Sequence, residues 1–497
     1  MKRSCRPAGV LALLAALNLA LTGCASSPSA AARDSALPTG LPTRWLQDDA
    51  AATSTDNATS LAQWWQRFGD AELSALVETA LQANTRVASA QAALRQARAL
   101  RDAAAGTLLP SLSLGASASR SRSGQGSGAI DSRSVKSGFD ASWEPDVFGG
   151  NAAALAEREA STRASAASLG DVQVAIAAEV ALNYITLRGS QQRLEIARAN
   201  LAAQEETLQL TQWRLQAGLT TSLEAEQARS AAEQTRATLP TLQTARNQAA
   251  HALALLTGRT PEALAPLMRG AAAPVPLPTQ DLTLAFPADT LRQRPDVRAA
   301  EANLAAALAR VAQADAARLP GFRLSGSLGL SAASLSALGD SAALLRSLLA
   351  SVSLPLFDGG TLAAQQRAAQ AGAEQQRAAY EGALLTALQE VEDALVALKN
   401  DRTRLATLQR AAEAAGNAAL LARQRHASGL VDFQTVIDTQ RTLLSTQDGV
   451  ASAAATLSAD HVRLYKALGG GWQPDDATSR DAQPSSAGSA NDRNSRS

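Results

Sequence analysis

Two stretches of this chain, 146–239 and 356–473, contain no proline, and apolar residues run through each at intervals of seven. Leu187, Leu194, Leu201, Leu208 and Leu215 form one such row. Leu384, Val391, Leu398 and Leu405 form a second, and Val436, Leu443, Val450, Leu457 and Leu464 a third. A strict seven-residue repeat presents one apolar seam and demands another helix against it. The spacing predicts helices at about 151–217 and 361–428, each roughly 100 Å long at 1.5 Å per residue, too long for a compact domain. Alanine and leucine dominate and aromatics make up 3% of the chain, a composition suited to long helices and coiled coils.

Both long runs stop at similar turns, "QAGLTTSLE" at Gly218 and "ASGLVDFQT" at Gly429. Glycine there fits a C-terminal cap, and Thr221, Ser222 or Asp432 suits the N-cap of a returning helix. Return helices are read at 222–257 and 432–468, ending at Gly258 and Gly469. Each long helix is preceded by an alanine-rich helix, near 71–108 and 295–318, closed by Leu-Pro. At a constant offset of 210, Leu81, Val87, Leu94, Leu109 and Pro110 meet Leu291, Val297, Leu304, Leu319 and Pro320, so the chain is a tandem repeat.

Between those helices each half holds two short alternating stretches. "SLSLGASAS" and "GFDASW" flank "RSRSGQGSGAIDSRS" in the first half; Phe322, Leu324, Leu328 and Leu330, then Leu348, Val352, Leu354 and Leu356, flank "SAASLSALGDSAA" in the second. Period-two alternation over about ten residues matches a tilted membrane-crossing strand. Four strands cannot close a barrel by themselves. Either several chains pool their strands into one barrel, or the stretches are loops and the chain is a lipid-anchored coiled-coil rod.

The N-terminus bears on that choice. Lys2, Arg3 and Arg6 precede a short apolar run, Val10 to Leu21, and then Leu21-Thr22-Gly23-Cys24, a pattern like a bacterial lipobox with Cys24 as the lipidation site. Without the leader's three basic residues the net charge passes from +1 to −2, which leaves no basic footprint for nucleic acid. Cys5 leaves with the leader, so no thiol remains for a disulfide or a metal. The chain divides into a leader (1–23), a lipidated linker (24–60), an opening segment with the first helices (61–108), a first β-hairpin (109–148), a long helical hairpin (149–257), a linker (258–290), a helix (291–318), a second β-hairpin (319–358), a second helical hairpin (359–468) and a polar tail (469–497). No mature stretch is read as a transmembrane helix.

From about Trp64 to Leu468 the chain resembles the outer membrane factors, the TolC-like channels, and most closely their NodT-type lipoprotein branch. The resemblance is carried in order by "WWQRFGDAELSALVETAL", "YITLRGSQQRLEIARANLAAQEETLQLTQWRLQAGL", "TRATLPTLQTARNQAAHALALLTGRTPEAL", "LRQRPDVRAAEANLAAALARVAQADAARLP" and "PLFDGG". It implies a mainly α fold with a membrane β-barrel: a homotrimer in which each chain gives four strands to one 12-stranded barrel, continued by a periplasmic α-helical barrel. Residues 258–290 and the start of the tail would form an equatorial collar. The implied function is the passive exit duct of a tripartite efflux pump, with a periplasmic adaptor protein, an inner-membrane transporter and outer-membrane lipid as partners and no cofactor. The same channel fold serving type I protein secretion, and a non-channel lipoprotein scaffold, are the alternatives. Ala25 fits outer-membrane sorting, since an acidic residue there is the usual retention signal.

The resemblance also assigns residues. Gly218, Leu219, Gly429 and Leu430 fall where such channels meet the adaptor, although any helical hairpin needs its caps. Aspartates that narrow the periplasmic entrance of relatives correspond to Thr435 and Asp438, of which only Asp438 keeps the acid; a solvated helix face is the alternative. An arginine that latches some relatives is Val431 here, so the latch does not carry over. His251, His426 and His461 are scattered, and Glu205-Glu206 and Glu392-Asp393 read as solvated helix faces, so no residues suggest an enzyme.

Overall fold

The computed structural model describes Leu46 and residues 61–124, 130–269, 273–278 and 291–472. The lipidation site Cys24 and its neighbour Ala25 lie outside the described residues, as do the leader, most of the linker and the tail beyond Trp472. In chain order the elements are α1 (Ala71–Ala83), α2 (Thr85–Gly106), β1 (Ser111–Ser123), β2 (Ile130–Trp143), α3 (Gly150–Gln216), α4 (Ser222–Leu256), α5 (Ala265–Arg269), α6 (Pro295–Ala316), β3 (Gly321–Ala332), β4 (Leu344–Ser353), α7 (Thr361–Ala427) and α8 (Phe433–Ala467). The repeat is literal: α3 and α7 each run for 67 residues, and α4 and α8 each for 35.

Two compact units divide the chain. One holds the four strands and the helix ends that flank them. Its sheet is antiparallel throughout, in the order β1-β2-β3-β4. Each long helix starts on an aspartate that satisfies its orphan N–H groups. Asp146 accepts from Asn151 N at 3.0 Å and Ala152 N at 2.6 Å; Asp358 accepts from Gly360 N at 2.8 Å and Leu362 N at 2.7 Å. Those backbone donors, Leu362 first, hold the Asp358 carboxyl below the usual carboxylate range.

The strands differ from the sequence reading in extent. β1 and β2 run on through the polar stretch read as their connection, because Arg120 pairs with Arg133 and Ser123 with Ile130 in one unbroken register. In β4 the strand begins earlier, at Leu344, and stops at Ser353, before Pro355 withdraws a backbone donor. Leu354 and Leu356 therefore lie beyond it.

The other unit is helical, and its core is built where the two repeats meet. Trp64 is fully buried, stacked on Tyr465 of α8 at 5.3 Å and edge-on to Trp65 and Phe68 at 5.9 Å each. Tyr184, Ile176 and Leu187 of α3 and Leu253 of α4 complete the cluster. One 18-residue stretch of α3 is apolar enough, at mean hydropathy 1.3, to cross a bilayer by composition, which the sequence reading did not anticipate. The segment Ile176–Leu187 spends its apolar side chains on this core.

The helix read as continuous over 71–108 breaks at Asn84, and the break serves the packing. Asn84 is buried, accepts from Arg86 N at 2.8 Å and donates Nδ2 to the Leu256 carbonyl at the end of α4, also at 2.8 Å. Arg294, its counterpart in the second repeat, donates Nη1 to the Ala467 carbonyl at the end of α8 at 2.6 Å, and Nη2 to Glu390 at 2.7 Å. Both repeats thus use a buried side chain to satisfy the last carbonyls of a return helix. Within 258–290, read as irregular, the described part includes a 3-10 turn over Pro261–Leu264 and α5, whose Leu264 and Leu267 are buried. Gln191 donates to the Leu267 carbonyl at 3.0 Å, and Ser458 to the Pro276 carbonyl at 2.6 Å, fastening this linker to α3 and α8.

Candidate functional site

Because side chains alternate along a strand, the register assigns every residue of the sheet to one of two faces. One face carries Leu112, Leu114, Ala116 and Ala118 of β1, Val135, Phe139 and Trp143 of β2, Phe322, Leu324, Leu328 and Leu330 of β3, and Leu344, Leu348 and Val352 of β4. The other carries serine at 111, 113, 117, 119 and 121, Lys136, Asp140 and Ser142, then Arg323, Ser325 and Ser327, then Ser347, Ser351 and Ser353, with Ile130, Leu345 and Leu349 the large apolar exceptions. The apolar face is not covered: Leu112 is 70% exposed and Leu348 79%. A water-soluble sheet buries such a face; a sheet with lipid on one side and water on the other has this pattern.

On the polar face, Gly115, Gly138 and Gly329 stand side by side across three strands. A Cβ on Gly138 would lie 2.7 Å from Gly329 Cα, so the row admits close backbone approach where the sheet coils. Within the described residues β1 and β4 each have one strand neighbour. Each leaves an edge of unpaired backbone groups, which lipid cannot satisfy.

The turns read as tips are Schellman motifs. Leu219 N donates to the Arg214 carbonyl at 2.8 Å and Gly218 N to Leu215 at 2.9 Å; Leu430 N donates to Arg425 and Gly429 N to His426, both at 2.9 Å. Gly218 and Gly429 both take φ +73°, where a side chain is strained. Of the candidate N-caps the structure uses Thr221, which accepts from Glu224 N at 3.4 Å, and Asp432, which accepts from Thr435 N at 2.9 Å. The Thr435 hydroxyl and N–H together hold the Asp432 carboxyl below its usual range. Leu219 and Leu430, though apolar, are 70% and 74% exposed.

The structure brings the two turns together. Arg214 Nη1 lies 3.3 Å from His426 Nε2, and behind them Phe433 and Ile437 of α8 pack with Ala228 and Ala231 of α4. Asp438 is on an exposed side of α8, accepting from Gln434 Nε2 at 2.8 Å with Arg441 Nη1 at 3.8 Å. His251 belongs to α4, His426 to the tip of α7 and His461 to the core side of α8, three separate places.

One group escaped the sequence reading. Asp460 of α8 is buried, with Arg463 holding its Oδ1 at 2.6 Å, and its carboxyl interacts with that of Asp401 of α7. Burial and the neighbouring Asp401 carboxyl push its pKa up to about 6. The available signal was an acid three residues after Leu457, on the heptad's apolar side.

The model of the outer membrane efflux protein family matches residues 76–259 and 286–470, one match per repeat. The chain belongs to that family. A pyoverdine export outer membrane protein, OpmQ of Pseudomonas aeruginosa, is 34% identical over 470 residues, covering 92% of this chain and 96% of OpmQ. Nodulation protein T of Rhizobium leguminosarum bv. viciae is 30% identical, over 96% of this chain and 97% of its own length. The solved structure of the outer-membrane channel OprN superposes with a TM-score of 0.80 at 36% identity, across 87% of this chain and 99% of OprN. The fold is accordingly TolC-like. As a member of the outer membrane efflux protein family, the chain is an outer-membrane efflux channel, and its relatives are channel proteins rather than enzymes.

Proposed function

We propose that three copies of this chain pool their four strands into one 12-stranded barrel and that it conducts small compounds passively from periplasm to exterior, catalysing nothing itself. The observation that supports this is the sheet with one apolar and one serine-rich face and two open edges: only closure with further copies satisfies both edges in lipid. Native mass spectrometry of the detergent-purified protein is expected to give three copies per particle. A monomer or dimer would contradict it.

Cys24 carries a lipid that anchors the chain beside the barrel, in line with its Leu-Thr-Gly-Cys context. The linker 258–290 and the start of the tail form an equatorial collar. The paired tips at Gly218-Leu219 and Gly429-Leu430 receive a periplasmic adaptor, which joins the duct to an energised inner-membrane transporter. What favours this is the exposure of two leucines in turns whose geometry needs only the glycines. Leu219→Asp/Leu430→Asp is expected to leave trimer assembly and channel conductance intact while export in cells falls at least about tenfold, the size of a lost apolar anchor. Unchanged export would remove the tips from the adaptor contact.

Asp438 is proposed as the one acid at the periplasmic entrance, repeated three times around the axis. Arg441 beside it weakens the field of each carboxylate. Asp438→Ala is therefore expected to lower cation-over-anion permeability about twofold to threefold in planar bilayers, within the range of exposed, partly compensated charges. An unchanged reversal potential would return Asp438 to an ordinary helix face.

A further inference from the structure

The apolar face of the sheet carries four arginines, and three of them gather at the hairpin end of β1 and β2. Arg120 and Arg122 fall within four residues of the hairpin end of β1, Arg133 within four of the same end of β2, and Arg346 two after the start of β4. By register all four share the face of Leu112, Leu114, Phe139, Leu328 and Leu348, and all are exposed. On β1 and β2 the residues nearer the helices on that face are apolar or small, so their charges begin where the apolar band ends, whereas Arg346 stands level with Leu328, Phe139 and Leu114 inside that band.

Two features of this group ask for an anion. Arg120 and Arg133 are direct cross-strand partners, an arrangement that like charges disfavour. The face offers one acid there, Asp131, and it is engaged by Arg120 at 2.5 Å. Arg122 and Arg133 make no ion pair among the described residues, leaving two uncompensated guanidinium groups at the hairpin end of β1 and β2. An arginine facing lipid is costly at the bilayer centre and nearly free at the interface, where its long stem lets the head reach the polar layer. A planar guanidinium fork also matches phosphate in a way that a point charge does not.

We propose that Arg120, Arg122 and Arg133 form a cluster that binds the phosphate groups of phosphorylated lipids in the outer leaflet, repeated on each chain of the barrel as a girdle. The proposal rests on the barrel reading, which places this rim at the exterior headgroups. Such a girdle would fix the height of the barrel in the membrane and seal lipid against it.

The test is native mass spectrometry of the full-length, detergent-purified protein titrated with bis-phosphorylated lipid A, with phosphatidylcholine and inorganic phosphate in parallel. Lipid A is expected to bind, and Arg122→Gln/Arg133→Gln to weaken it about tenfold, as for lost charge-assisted hydrogen bonds. Asp131→Asn, which frees Arg120, is expected to tighten binding, and it serves as the readout if the double variant does not assemble. Equal lipid A binding by the double variant, equal binding of phosphatidylcholine, or displacement by millimolar inorganic phosphate would each overturn the proposal. Single-channel conductance of the same samples separates the failures: normal steps with unaltered lipid binding sink the girdle alone, whereas a wild-type protein without steps sinks the barrel beneath it.

Discussion

Trp64→Ala is expected to destabilise the protein by about 3–5 kcal/mol, the range for removing a fully buried aromatic. The indole has no exposed surface, stacks on Tyr465 and meets Trp65 and Phe68 edge-on, so the truncation removes three ring contacts and leaves a void. The ring packs tightly against the Gly470 backbone, where a Cβ would lie 2.9 Å from Trp64 Cδ1. This ring fastens the opening segment to the last turn of α8, so its loss frees both. Thermal unfolding in detergent measures it: the apparent midpoint should fall by roughly 5 °C or more, while Trp64→Phe should retain most of the stability. A midpoint unchanged in Trp64→Ala would mean that the aromatic cluster contributes little.

Asp460→Asn has the opposite sign. A carboxyl whose folded pKa is raised from 3.8 to about 6 favours its neutral form in the folded state. At neutral pH the folded protein therefore holds a charge that burial and Asp401 disfavour, which costs stability. As pH falls through 6 the folded state takes up a proton that the unfolded chain does not bind until about 4, so wild-type stability rises across that window. An asparagine amide has N–H donors to offer the Asp401 carboxylate and carries no charge. It gives up the pair with Arg463, which is 57% exposed and contributes little. The variant should be more stable than wild type at pH 7.5, and the gap should close as pH falls toward 4. A gap independent of pH, or a destabilised variant at pH 7.5, would show that Arg463 dominates the site instead.

The long helices were legible because every local signal agreed: unbroken heptads, no proline, and glycine where the chain must take a positive φ. Gly218 and Gly429 end their helices within a residue of the sequence reading for that reason. The strand ends were less legible. From Arg120 to Arg122, and again at Arg133, charge alternates with serine, so hydropathy gives no contrast although the backbone pairing continues. Beyond β4 the contrast misled in the other direction, since Leu354 and Leu356 extend the alternation past the point where Pro355 ends the pairing. Asn84 looked like an ordinary helix residue, since its bond to the Leu256 carbonyl spans 172 positions and leaves no local trace. Asp460 was hidden similarly, as its partner Asp401 belongs to a different helix.

The same distinction holds at the candidate site. The turn glycines declare themselves through backbone geometry, whereas the assignment of the sheet's two faces needed the register of all four strands. Once that register is known, the apolar and serine-rich faces and the two open edges leave closure with other copies as the arrangement that satisfies every backbone group in lipid.

Single-channel recording of the detergent-purified protein in a planar bilayer tests that closure most directly. Uniform conductance steps of one size, from particles that carry three chains, are what a shared water-filled barrel requires. A folded protein that gives no steps, or steps of widely scattered size, would contradict it.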